Sequence, residues 1–516
     1  MYIPLPTPDE MALWDRTSID TYGIDAKMLM ENASREALHV LLEEFGSLQG
    51  KSAVVFAGSG NNAGDAFALA RHMTDMGAKV MVLHKKAQQE YTRETAYHLQ
   101  LALNTEVPLV RLPEYNLDFL THPDIVVDGL LGTGFRGLLN KQYKDWINHI
   151  NRMGKNSFVF ALDIPSGING WTGLPSPTAV KADATATFAF AKVGLFMAES
   201  RPYVGNLHVR SIGLPARVSE DAPPSHFGLD QHILSLYPAP QDDLHKGTAG
   251  HVLIVGGSEG LTGAPHLAAL GALRGGAGLV TIAIPGALAS EVKNGAADIM
   301  TLPLGEGGKW SGSLIEALSP HFERFDSVVI GPGLGRDTGS RNFLRAYLQS
   351  EHPPTVIDAD ALYWLAEDPQ CVQHLDQECI LTPHPGEMAR LCRKSNNEVQ
   401  QNRPAILRQA VQDFQCTMVF KGANTLITAP NRPMYVSPIA CANLAIGGAG
   451  DILAGLIGSL RNSSLSPLQA TCLGVYWHGF AGELLRERYP YRGNRATELA
   501  DILPLVFKET HDAHSC

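Results

Sequence analysis

KSAVVFAGSGNNAGDAFALARHMTDMGAKVMVLH, residues 51–84, is the stretch that decides the fold class. It begins with a short apolar run, KSAVVFAG, and passes through a polar turn, GSGNNAGD. It then continues into AFALARHMTDMGA, which has helical spacing, and ends in a second apolar run, KVMVLH. Two apolar runs of strand length on either side of one helix are typical of a βαβ unit. The sequence therefore predicts an α/β fold.

Apolar runs that end in polar loops recur along the rest of the chain. The first half contains DIVVDGL (124–130) and SFVFALDIPSG (157–167). A new series in the second half comprises HVLIVGGS (251–258), GLVTIAI (278–284), SVVIGPGLG (327–335), PTVIDADAL (354–362), CILTPHPGE (379–387) and MVFKGANTLIT (418–428). Strands this uniformly apolar are typical of parallel sheets that are covered by helices on both faces.

A change of composition separates the two series. The run from Ile212 to Gln241 is rich in Pro, Ser and acidic residues and has no long periodic segment, which is typical of a boundary. The chain has 516 residues, of which 45% are hydrophobic and 18% charged, and this is enough for more than one core. We predict two α/β domains without an internal repeat, residues 1–222 and residues 230–516.

Composition also excludes several classes of protein. The formal net charge is −11 and the 41 Lys and Arg residues are dispersed, so the basic stripe of a nucleic-acid-binding surface is not found. The seven cysteines form no CxxC pair, which argues against a disulfide framework or a zinc site and favours a reducing compartment. No run approaches the about 18 apolar residues of a membrane span, and the N-terminus does not have the pattern of a leader. We expect a cytoplasmic homo-oligomer without nucleic-acid or membrane partners.

Three strand-end loops carry the polar residues of the first half: GSGNNAGDA (58–66), DGLLGTGFRG (128–137) and LDIPSG (162–167). Glycines let a backbone approach a ligand, and free helix N–H groups attract phosphate. The second loop contains a GxGxxG, but no acid stands about 20 residues further on, so it is not a conventional dinucleotide fingerprint. Oxygens from these loops suit a hard cation at the carboxyl edge of the sheet. Helix capping is the alternative for each residue taken singly.

These three loops, in this order and spacing, resemble the N-terminal domain of the bifunctional NAD(P)H-hydrate repair enzymes, as do LMENAS (29–34) and FAFAKVGL (188–195). The similarity covers about residues 1–215 and implies a Rossmann-like, three-layer domain with epimerase activity. Ala63 and Ala66 stand where the family has glycines. The resemblance implies that the hydrated nucleotide contacts Asn61, Asn62, Ala63, Gly64 and Asp65, and that Asp163 lies at its nicotinamide ring. It implies that the phosphates of the nucleotide contact Gly132, Thr133, Gly134, Phe135, Arg136, Gly137 and Leu138. It also implies that Asn62, Asp128 and Ser166 ligate K⁺.

The most informative stretch of the second half is IGGAGDILAGLIGSL (446–460). Its small residues, from Gly447 to Gly450, are typical of an open helix N-terminus whose amides stabilise a transferring phosphoryl group. Asp451 falls in the first turn, where a carboxylate can take a hydroxyl proton. The alternative is a Gly-rich helix start that Asp451 merely caps. The chain contains no GxxxxGK[ST], which argues against a P-loop enzyme.

Four further segments of the second half end in polar residues. KGANTLIT (421–428) offers Lys421, Asn424 and Thr425 to a phosphate or a ribose, and GPGLG (331–335) permits close backbone approach. TPHPGE (382–387) holds His384 between two prolines, a setting that favours substrate positioning. VIDADAL (356–362) carries Asp358 and Asp360, which are candidates for polar ligands or Mg²⁺, or else helix caps.

Together with HKGTAGHVLIVGGSEGLTGAP (245–265) and LRGGAGLVTIAIP (273–285), these segments resemble the ribokinase-like fold. Within that fold they resemble the NAD(P)H-hydrate dehydratase domain of the same family, over residues 240–505. The resemblance implies that the hydrate contacts Ala264, Gly333, His384 and Asp451, and that ADP or ATP, with Mg²⁺, binds at Lys421, Gly422, Ala423, Asn424, Thr425 and Gly450.

The two resemblances imply one repair function. Its substrates are NADHX and NADPHX, whose nicotinamide ring carries a hydroxyl at C6. The first domain would interconvert the C6 epimers, with Asp163 as proton carrier, and the second would dehydrate the S epimer, with Asp451 as base. The alternative is a ribokinase-like kinase of a small vitamin precursor, with a non-catalytic nucleotide-binding module in front of it.

Overall fold

A computed structural model describes residues 2–112, 122–239, 242–293 and 295–508. The chain forms two compact units. The first unit is Pro4–Phe227, and the second unit is Met1–Ile3 with Gly228–Cys516. Of the seven cysteines, Cys516 lies outside the described residues, and the other six are free thiols.

Seven parallel strands form the sheet of the first unit. They follow β1 (Tyr2–Pro4) and are β2 (Ser52–Ala57), β3 (Lys79–His84), β4 (Leu109–Arg111), β5 (Ile125–Gly129), β6 (Phe158–Leu162), β7 (Ala184–Phe188) and β8 (Asn206–Arg210). Their order in the sheet is β4-β3-β2-β5-β6-β7-β8. The chain leaves β2 in opposite directions, first towards β3 and later towards β5, so the switch point where α/β proteins bind ligands lies between β2 and β5.

Helices cover both faces of this sheet, as predicted. They are α1 (Pro8–Asp20), α2 (Ala26–Phe45), α3 (Asn61–Asp75), α4 (Arg93–Asn104), α5 (Lys141–Met153), α6 (Arg201–Val204) and α7 (Arg217–Asp221). Phe67 of α3 packs with Val55 in one core, and Trp146 of α5 packs with Phe56 in another. The alternation of Val55 and Phe56 between the two cores follows from the period of two in a strand. Residues 51–84 form β2, α3 and β3, the predicted βαβ unit.

The second unit is built on an eleven-stranded sheet to which β1 also belongs. Its other strands are β9 (His226–Leu229), β10 (His251–Val255), β11 (Leu279–Pro285), β12 (Met300–Leu304), β13 (Ser327–Ile330), β14 (Thr355–Ile357), β15 (Ile380–Leu381), β16 (Thr417–Phe420), β17 (Leu426–Thr428) and β18 (Met434–Val436). Their order is β1-β9-β18-β17-β16-β15-β14-β13-β10-β11-β12. The strands from β10 to β16 pair in parallel, which is the predicted pattern.

One segment of the second unit differs from the expectation. Residues 418–428, counted in the sequence as one member of the strand series, reverse direction and form an antiparallel hairpin. Phe420 pairs with Leu426, so residues 421–425 become the tip between β16 and β17. Positive φ angles at Gly422 (148°) and Asn424 (52°) make this reversal, because these residue types tolerate that region.

Helices of the second unit pack closely over the sheet. They are α8 (Gly263–Arg274), α9 (Ala289–Lys293), α10 (Leu314–Leu318), α11 (Thr338–Gln349), α12 (Asp360–Glu367), α13 (Pro369–Val372), α14 (Pro385–Leu391), α15 (Asn396–Gln401), α16 (Arg403–Phe414), α17 (Ala449–Leu460), α18 (Pro467–Arg488) and α19 (Ala496–Ile502). A Cβ on Gly455 would lie 1.8 Å from the Ala268 carbonyl oxygen, so α17 contacts α8 through its backbone. Within the described ranges, no helix is long and apolar enough to cross a membrane.

Short 3₁₀ turns connect several of these elements. They lie at Gln88–Glu90, Val193–Phe196, Ala198–Ser200, Gln231–Leu236, Gly286–Leu288, Ser319–Arg324, Ala442–Leu444 and Leu503–Leu505.

Candidate active sites

The switch point of the first unit opens into a cavity of about 530 Å³, called the first cavity below. A Cβ on Gly58, after β2, would lie 1.7 Å from the Leu130 carbonyl oxygen, so only glycine permits this approach of two strand-end loops. The N-cap of α3 is Gly60, which has no side chain to occupy the first-turn N–H groups. The Ala63 N–H donates to the Gly60 carbonyl at 3.1 Å, which leaves the Asn61 and Asn62 amides to bind an anion.

Nine of the predicted residues line the first cavity. They are Asn61, Asn62, Asp65, Gly132, Thr133, Gly134, Phe135, Arg136 and Asp163. Helices α1 and α2 supply apolar walls, which include Met11 and Met30. The loops after β2, β5 and β6 thus meet at one edge of the sheet.

Four predicted contact residues lie elsewhere. Ala63 of α3 is fully buried in the core, and Gly64 is packed against Met30. Gly137 has a φ of 82°, and the Leu138 side chain is 82% exposed. Ala63 and Ala66, which replace family glycines, point into the core and do not narrow the cavity.

Asp163 is held by donors on both carboxylate oxygens. Lys192 Nζ donates to Oδ1 at 2.5 Å, while the Thr133 N–H and hydroxyl donate to Oδ2 at 2.8 and 2.5 Å. Burial raises the pKa of Asp163, but the Lys192 ammonium and the Thr133 donors outweigh it, and the pKa is lowered overall. Asp163 also has a φ of 64°, a strained conformation that is typical of functional sites.

Two other carboxyls face the same cavity. Burial raises the pKa of Asp65 well above its ordinary value, and repulsion from Asp163 adds to this effect. Burial also raises the pKa of Asp15, on α1, to about 6. The first cavity therefore contains carboxyl groups of different acidity.

Asn62, which lines the cavity, comes together with Asp128 and Ser166 around the Leu131 backbone. Asn62 Nδ2 donates to the carbonyls of Leu131 and Leu162 at 3.0 and 3.2 Å. The Ser166 hydroxyl donates to Asp128 Oδ1 at 2.6 Å and accepts from the Leu131 N–H at 2.9 Å. Burial raises the pKa of Asp128 to about 6 despite its hydrogen bonds.

The oxygen atoms of this group fit a potassium ion. Asn62 Oδ1 is buried and has no hydrogen-bond partner among the described residues. The two carbonyls that accept from Nδ2 fix the orientation of the amide, so the unpartnered atom is the oxygen. A buried acceptor without a donor is costly, and amide, hydroxyl and carboxylate oxygens are ligands of hard cations.

In the second unit, loops after β10 and β13 form one wall of a site. Gly331, Gly333 and Gly335 have φ angles of 123°, 63° and 88°, which suit glycine. A Cβ on Gly333 would lie 3.3 Å from the Ala264 Cβ, so the structure brings these two predicted residues into contact.

A second lysine–aspartate pair lies after β14 and β16. Lys421 Nζ donates to Asp358 Oδ1 at 2.7 Å, and the Thr382 hydroxyl donates to the same oxygen at 2.7 Å. Burial lowers the pKa of Lys421, but the charge of Asp358 outweighs it, and the pKa is raised overall. A Cβ on Gly450 would lie 3.3 Å from Lys421 Nζ. Gly450 thus places the start of α17 beside the ammonium.

Helix α17 begins at Ala449, as its small residues predict, with Gly448 as a left-handed N-cap at a φ of 88°. Asp451 lies in its first turn, and its carboxyl has neither a hydrogen bond nor an ion pair within the described part of the chain. Burial, followed by repulsion from Asp358, raises the pKa of Asp451 to about 7. Asp451 can therefore exchange a proton near neutral pH.

His384 serves as the N-cap of α14. Its Nδ1 accepts from the Gly386 and Glu387 N–H groups at 3.0 and 3.4 Å, while the Glu387 carboxylate accepts from the His384 N–H at 2.8 Å. With Nδ1 used as an acceptor, the proton of the neutral ring lies on Nε2. His384 therefore offers a donor to a ligand.

A cavity of about 420 Å³, called the second cavity below, opens beside the hairpin tip. Five of the predicted nucleotide-binding residues line it: Lys421, Gly422, Ala423, Thr425 and Gly450. Asn424 does not line the cavity, because its side chain is buried and donates to the Ser437 carbonyl at 3.0 Å. Asn424 thus stabilises the hairpin that presents its neighbours.

The acidic residues after β14 are already engaged. Asp360 accepts from the Arg336 guanidinium at 2.8 Å and from the Gly335 N–H at 3.0 Å. Within the described ranges, no group of three or more His, Cys, Asp or Glu side chains is arranged to hold a metal ion. Mg²⁺ usually binds through one or two carboxylates together with substrate phosphates. The described residues therefore do not form a preassembled metal site of their own.

Three site residues, Lys192, Asp15 and Thr382, were not predicted from the sequence. Lys192 lies in the quoted stretch FAFAKVGL and follows β7, so its place after a buried strand was a usable signal. Thr382 follows β15 in the same way. Asp15 comes from α1, far from any strand end, and no local pattern identifies it.

Comparison with known proteins identifies the family. The bifunctional NAD(P)H-hydrate repair enzyme of Moorella thermoacetica is 34% identical over 98% of this chain and 97% of its own. The chain belongs to this family. The Escherichia coli member is 31% identical over 98% of this chain and 98% of its own.

Both units of this family member match a family model. Residues 26–194 match the YjeF-related protein N-terminus, and residues 252–505 match NAD(P)H-hydrate dehydratase. These ranges include the strand-end loops of both sites, whereas Met11 and Asp15 of α1 lie before the first range. A solved structure of the ADP/ATP-dependent NAD(P)H-hydrate dehydratase of Bacillus subtilis, co-crystallised with ATP and Mg²⁺, covers 54% of this chain and 96% of its own at 28% identity and a TM-score of 0.45.

Proposed function

We propose that the two cavities of this NAD(P)H-hydrate repair enzyme divide the repair reaction between them. The first cavity, within residues 1–222, epimerises NADHX and NADPHX at C6. The second site, within residues 230–516, dehydrates the S epimer with ADP or ATP. Both halves are needed because a stereospecific dehydratase alone would leave the other epimer unrepaired.

Dehydration needs a better leaving group than hydroxide. Asp451 takes the proton of the C6 hydroxyl while that oxygen attacks the terminal phosphoryl group of ADP or ATP, and the bond from that group to the departing AMP or ADP breaks. The amides at the start of α17 stabilise the transferred charge. Phosphate then leaves with help from the ring nitrogen, a C5 proton is lost, and the C5–C6 double bond forms. Ala264, Gly333 and His384 are proposed to hold the hydrate during these steps.

The nucleotide is proposed to bind at the hairpin tip, residues 421–425, and at Gly450. Lys421 and Gly450 stand beside each other and both line the second cavity, which supports a phosphate site there. Asn424 acts by holding the tip in shape, since its amide binds the Ser437 carbonyl. Mg²⁺ would neutralise phosphate charge, with the carboxylate of Asp358 as the nearest anion to Lys421.

In the first cavity, the open start of α3 and the loop after β5 are proposed to hold the substrate and its phosphates. Asp163 is proposed to face the nicotinamide ring. K⁺ would be held by Asn62, Asp128 and Ser166 and would fix the loops after β2, β5 and β6 to one another. Its ligand Asn62 Oδ1 otherwise lacks a partner among the described residues.

The observation that carries this proposal is the position and acidity of the Asp451 carboxyl. It is a half-buried carboxyl with a pKa raised to about 7, in the first turn of a helix whose start lies beside a lysine. A group that titrates near neutral pH at an open helix N-terminus is suited to take a hydroxyl proton during phosphoryl transfer.

Absorbance at 340 nm tests the proposal. The full chain is given a mixture of R and S NADHX with ADP, ATP or no nucleotide, and complete recovery of NADH with one nucleotide is expected. Asp451→Asn should lower the dehydration rate by about 10²- to 10⁴-fold, the usual contribution of acid–base catalysis. Asp501→Asn, an exposed residue that pairs with Arg274, is the matched control. A near-normal rate in Asp451→Asn would refute the base assignment.

The kinase alternative is not favoured. Curated relatives align with the whole chain and not only with its second half, so a non-catalytic first half has no support there. Accumulation of a stable phosphorylated product, without NADH, would restore the alternative.

Location and assembly are proposed more broadly. Free thiols at the six described cysteines agree with a reducing compartment such as the cytoplasm. Formation of a homo-oligomer stays a prediction, which light scattering would test.

A further inference from the structure

Charged and titratable groups face the first cavity from several elements. Asp15 comes from α1, Asp65 from α3 and Glu94 from α4, while Asp163 and Lys192 follow β6 and β7. Arg136 lies at its exposed side and pairs with Asp9. Helix α2 contributes only apolar residues, namely Ala26, Leu29, Met30 and Ala33.

One pair in this group has a fixed charge state. Lys192 Nζ donates to Asp163 Oδ1, to the Thr187 hydroxyl at 3.0 Å and to the Phe188 carbonyl at 3.1 Å. Three acceptors match the three protons of an ammonium group, so Lys192 is held as a cation. Asp163 receives three hydrogen bonds in return and is held as an anion. An anion so well stabilised is a poor proton carrier.

Asp65 has the opposite environment. Its side chain is 9% exposed, and neither a hydrogen bond nor an ion pair reaches its carboxyl from any residue that the structure describes. Burial and the nearby Asp163 anion both raise the pKa of Asp65, so its neutral form is favoured. When neighbouring groups push two carboxyls to different acidities, the neutral one is suited to be the acid.

We propose that Asp65 is the proton donor of the epimerisation, and that Lys192 is the positioning residue that keeps Asp163 ionised beside it. This inference rests on the proposed epimerase function of the first unit. It deepens that function by assigning the proton to Asp65 and an electrostatic role to Asp163.

The epimers are exchanged through loss of water from C6 and its return. Asp65 gives its proton to the C6 hydroxyl, the C6–O bond breaks, and water leaves. The N1 lone pair forms a C6=N1 iminium, whose positive charge the Asp163 anion stabilises. Water then adds to either face of C6, and its extra proton returns to the Asp65 carboxylate. Lys192 and Asp163 keep their charges throughout.

Two other carboxyls are rivals for the same role. Asp15 has a pKa of about 6, so most of it is ionised at neutral pH and it is a weaker candidate for a donor. Glu94 lies on α4 and is only half-buried. Asp65 is the most buried of the three, and it follows Asn61 and Asn62 on the helix whose start opens into the first cavity.

The test follows epimer exchange in the full chain by chromatography, at several pH values and above the rate without protein. Because Asp65 must be protonated, the wild-type rate is expected to fall as pH rises through the raised pKa of Asp65. Asp65→Asn should lower kcat at least 100-fold, change KM little and remove this alkaline decline. Asp75→Asn, which removes an exposed carboxyl at the other end of α3, is the matched control and should retain the decline. Oxygen-18 from solvent should appear at C6 during exchange.

Each other outcome overturns the assignment. Asp65→Asn with kcat within threefold of wild type, or with a change in KM alone, would contradict a proton-donor role. Loss of the alkaline decline in Asp15→Asn would transfer the role to Asp15. Retention of the original C6 oxygen would exclude water loss. Nucleotide-dependent dehydration of the S epimer shows that each variant is folded in its second unit. A wild-type chain that dehydrates without epimer exchange would instead overturn the epimerase function itself.

Discussion

Each of the two sites of this enzyme contains a lysine–aspartate ion pair, and the more exposed member of the pair differs between the sites. In the first unit, Asp163 is 15% exposed and its partner Lys192 only 2%. In the second unit, Lys421 is 17% exposed and its partner Asp358 only 2%. The first pair thus presents mainly its anion to the cavity, and the second presents mainly its cation.

This difference matches the charges of the two proposed reactions. An anion at the first site stabilises a positively charged ring, whereas a cation at the second site stabilises phosphate. In both cases the buried partner keeps the exposed group ionised. Each site also places a carboxyl with a raised pKa nearby, Asp65 in the first and Asp451 in the second. Orientation of one ion pair therefore distinguishes two chemistries on similar sheets.

The largest effects are expected when the lysine of each ion pair is replaced by methionine. Lys421→Met should raise KM for the nucleotide about 10- to 100-fold, the value of a charged hydrogen bond of about 1.5–3 kcal/mol. Epimerisation should be unchanged. Lys192→Met should abolish most epimerisation and leave KM for the nucleotide unchanged. Lys421→Met also leaves the buried Asp358 without its ion-pair partner, which costs about 3–5 kcal/mol of unfolding free energy. The cost of Lys192→Met should be smaller, because Asp163 is 15% exposed and keeps its Thr133 donors. Assays of both activities and denaturant unfolding measure these effects.

Exposed lysines provide the controls for this test. Lys155→Met in the first unit and Lys394→Met in the second should behave as wild type, since both side chains are exposed. Loss of nucleotide affinity in Lys192→Met, or of epimerisation in Lys421→Met, would contradict the division of charge between the sites.

A smaller effect is expected from pH on the second site. Asp451 must be ionised to act as a base, so its activity is present above its pKa and lost below it. Because that pKa is raised to about 7, kcat for dehydration should fall as pH decreases through about 7, approaching tenfold per pH unit. The measurement uses saturating S epimer and nucleotide. A kcat that stays flat between pH 6 and 8 would show that Asp451 is not the group that limits the rate. Epimerisation at the first site should instead become slower as pH rises, because Asp65 must be protonated to act as the donor.

The smallest effect is expected from Ala66→Gly, which restores a family glycine. Ala66 is buried in α3, and a Cβ on Gly129 would lie 2.6 Å from its methyl group. Glycine inside a helix costs about 0.5–1 kcal/mol relative to alanine, so the first unit should unfold slightly more easily. KM for NADHX should be unchanged, because Ala66 does not line the cavity. A marked change in KM would show that the methyl group reaches the substrate.

Much of both sites could be predicted from the sequence because strand-end loops are local features. Asn62, Thr133 and Asp163 follow three apolar strands, and parallel strands bring their carboxyl ends to one edge. Gly448 and Asp451 likewise mark a helix start that depends only on neighbouring residues.

Tertiary structure decides what the sequence could not show. The place of Lys192 after β7 can be read from the sequence, but its burial cannot, because it depends on the ammonium turning back to donate to Thr187 and Phe188 of β7. The opposite acidities of Asp65 and Asp163 arise from donors on separate loops. The hairpin that turns Asn424 away from the cavity depends on a pairing between β16 and β17.

The position of β1 has a consequence for how the domains of this enzyme can be removed or exchanged. Met1–Ile3 belong to the second unit, and the chain returns to that unit at Gly228. The first unit is therefore an insertion within the second, and its entry and exit are adjacent, since the Leu5 N–H donates to the His226 carbonyl at 3.0 Å. An inserted domain with neighbouring ends can be removed or exchanged as one cassette. A short turn that connects β1 to β9 in place of the first unit would preserve the edge strand that a simple truncation of the N-terminal half would remove.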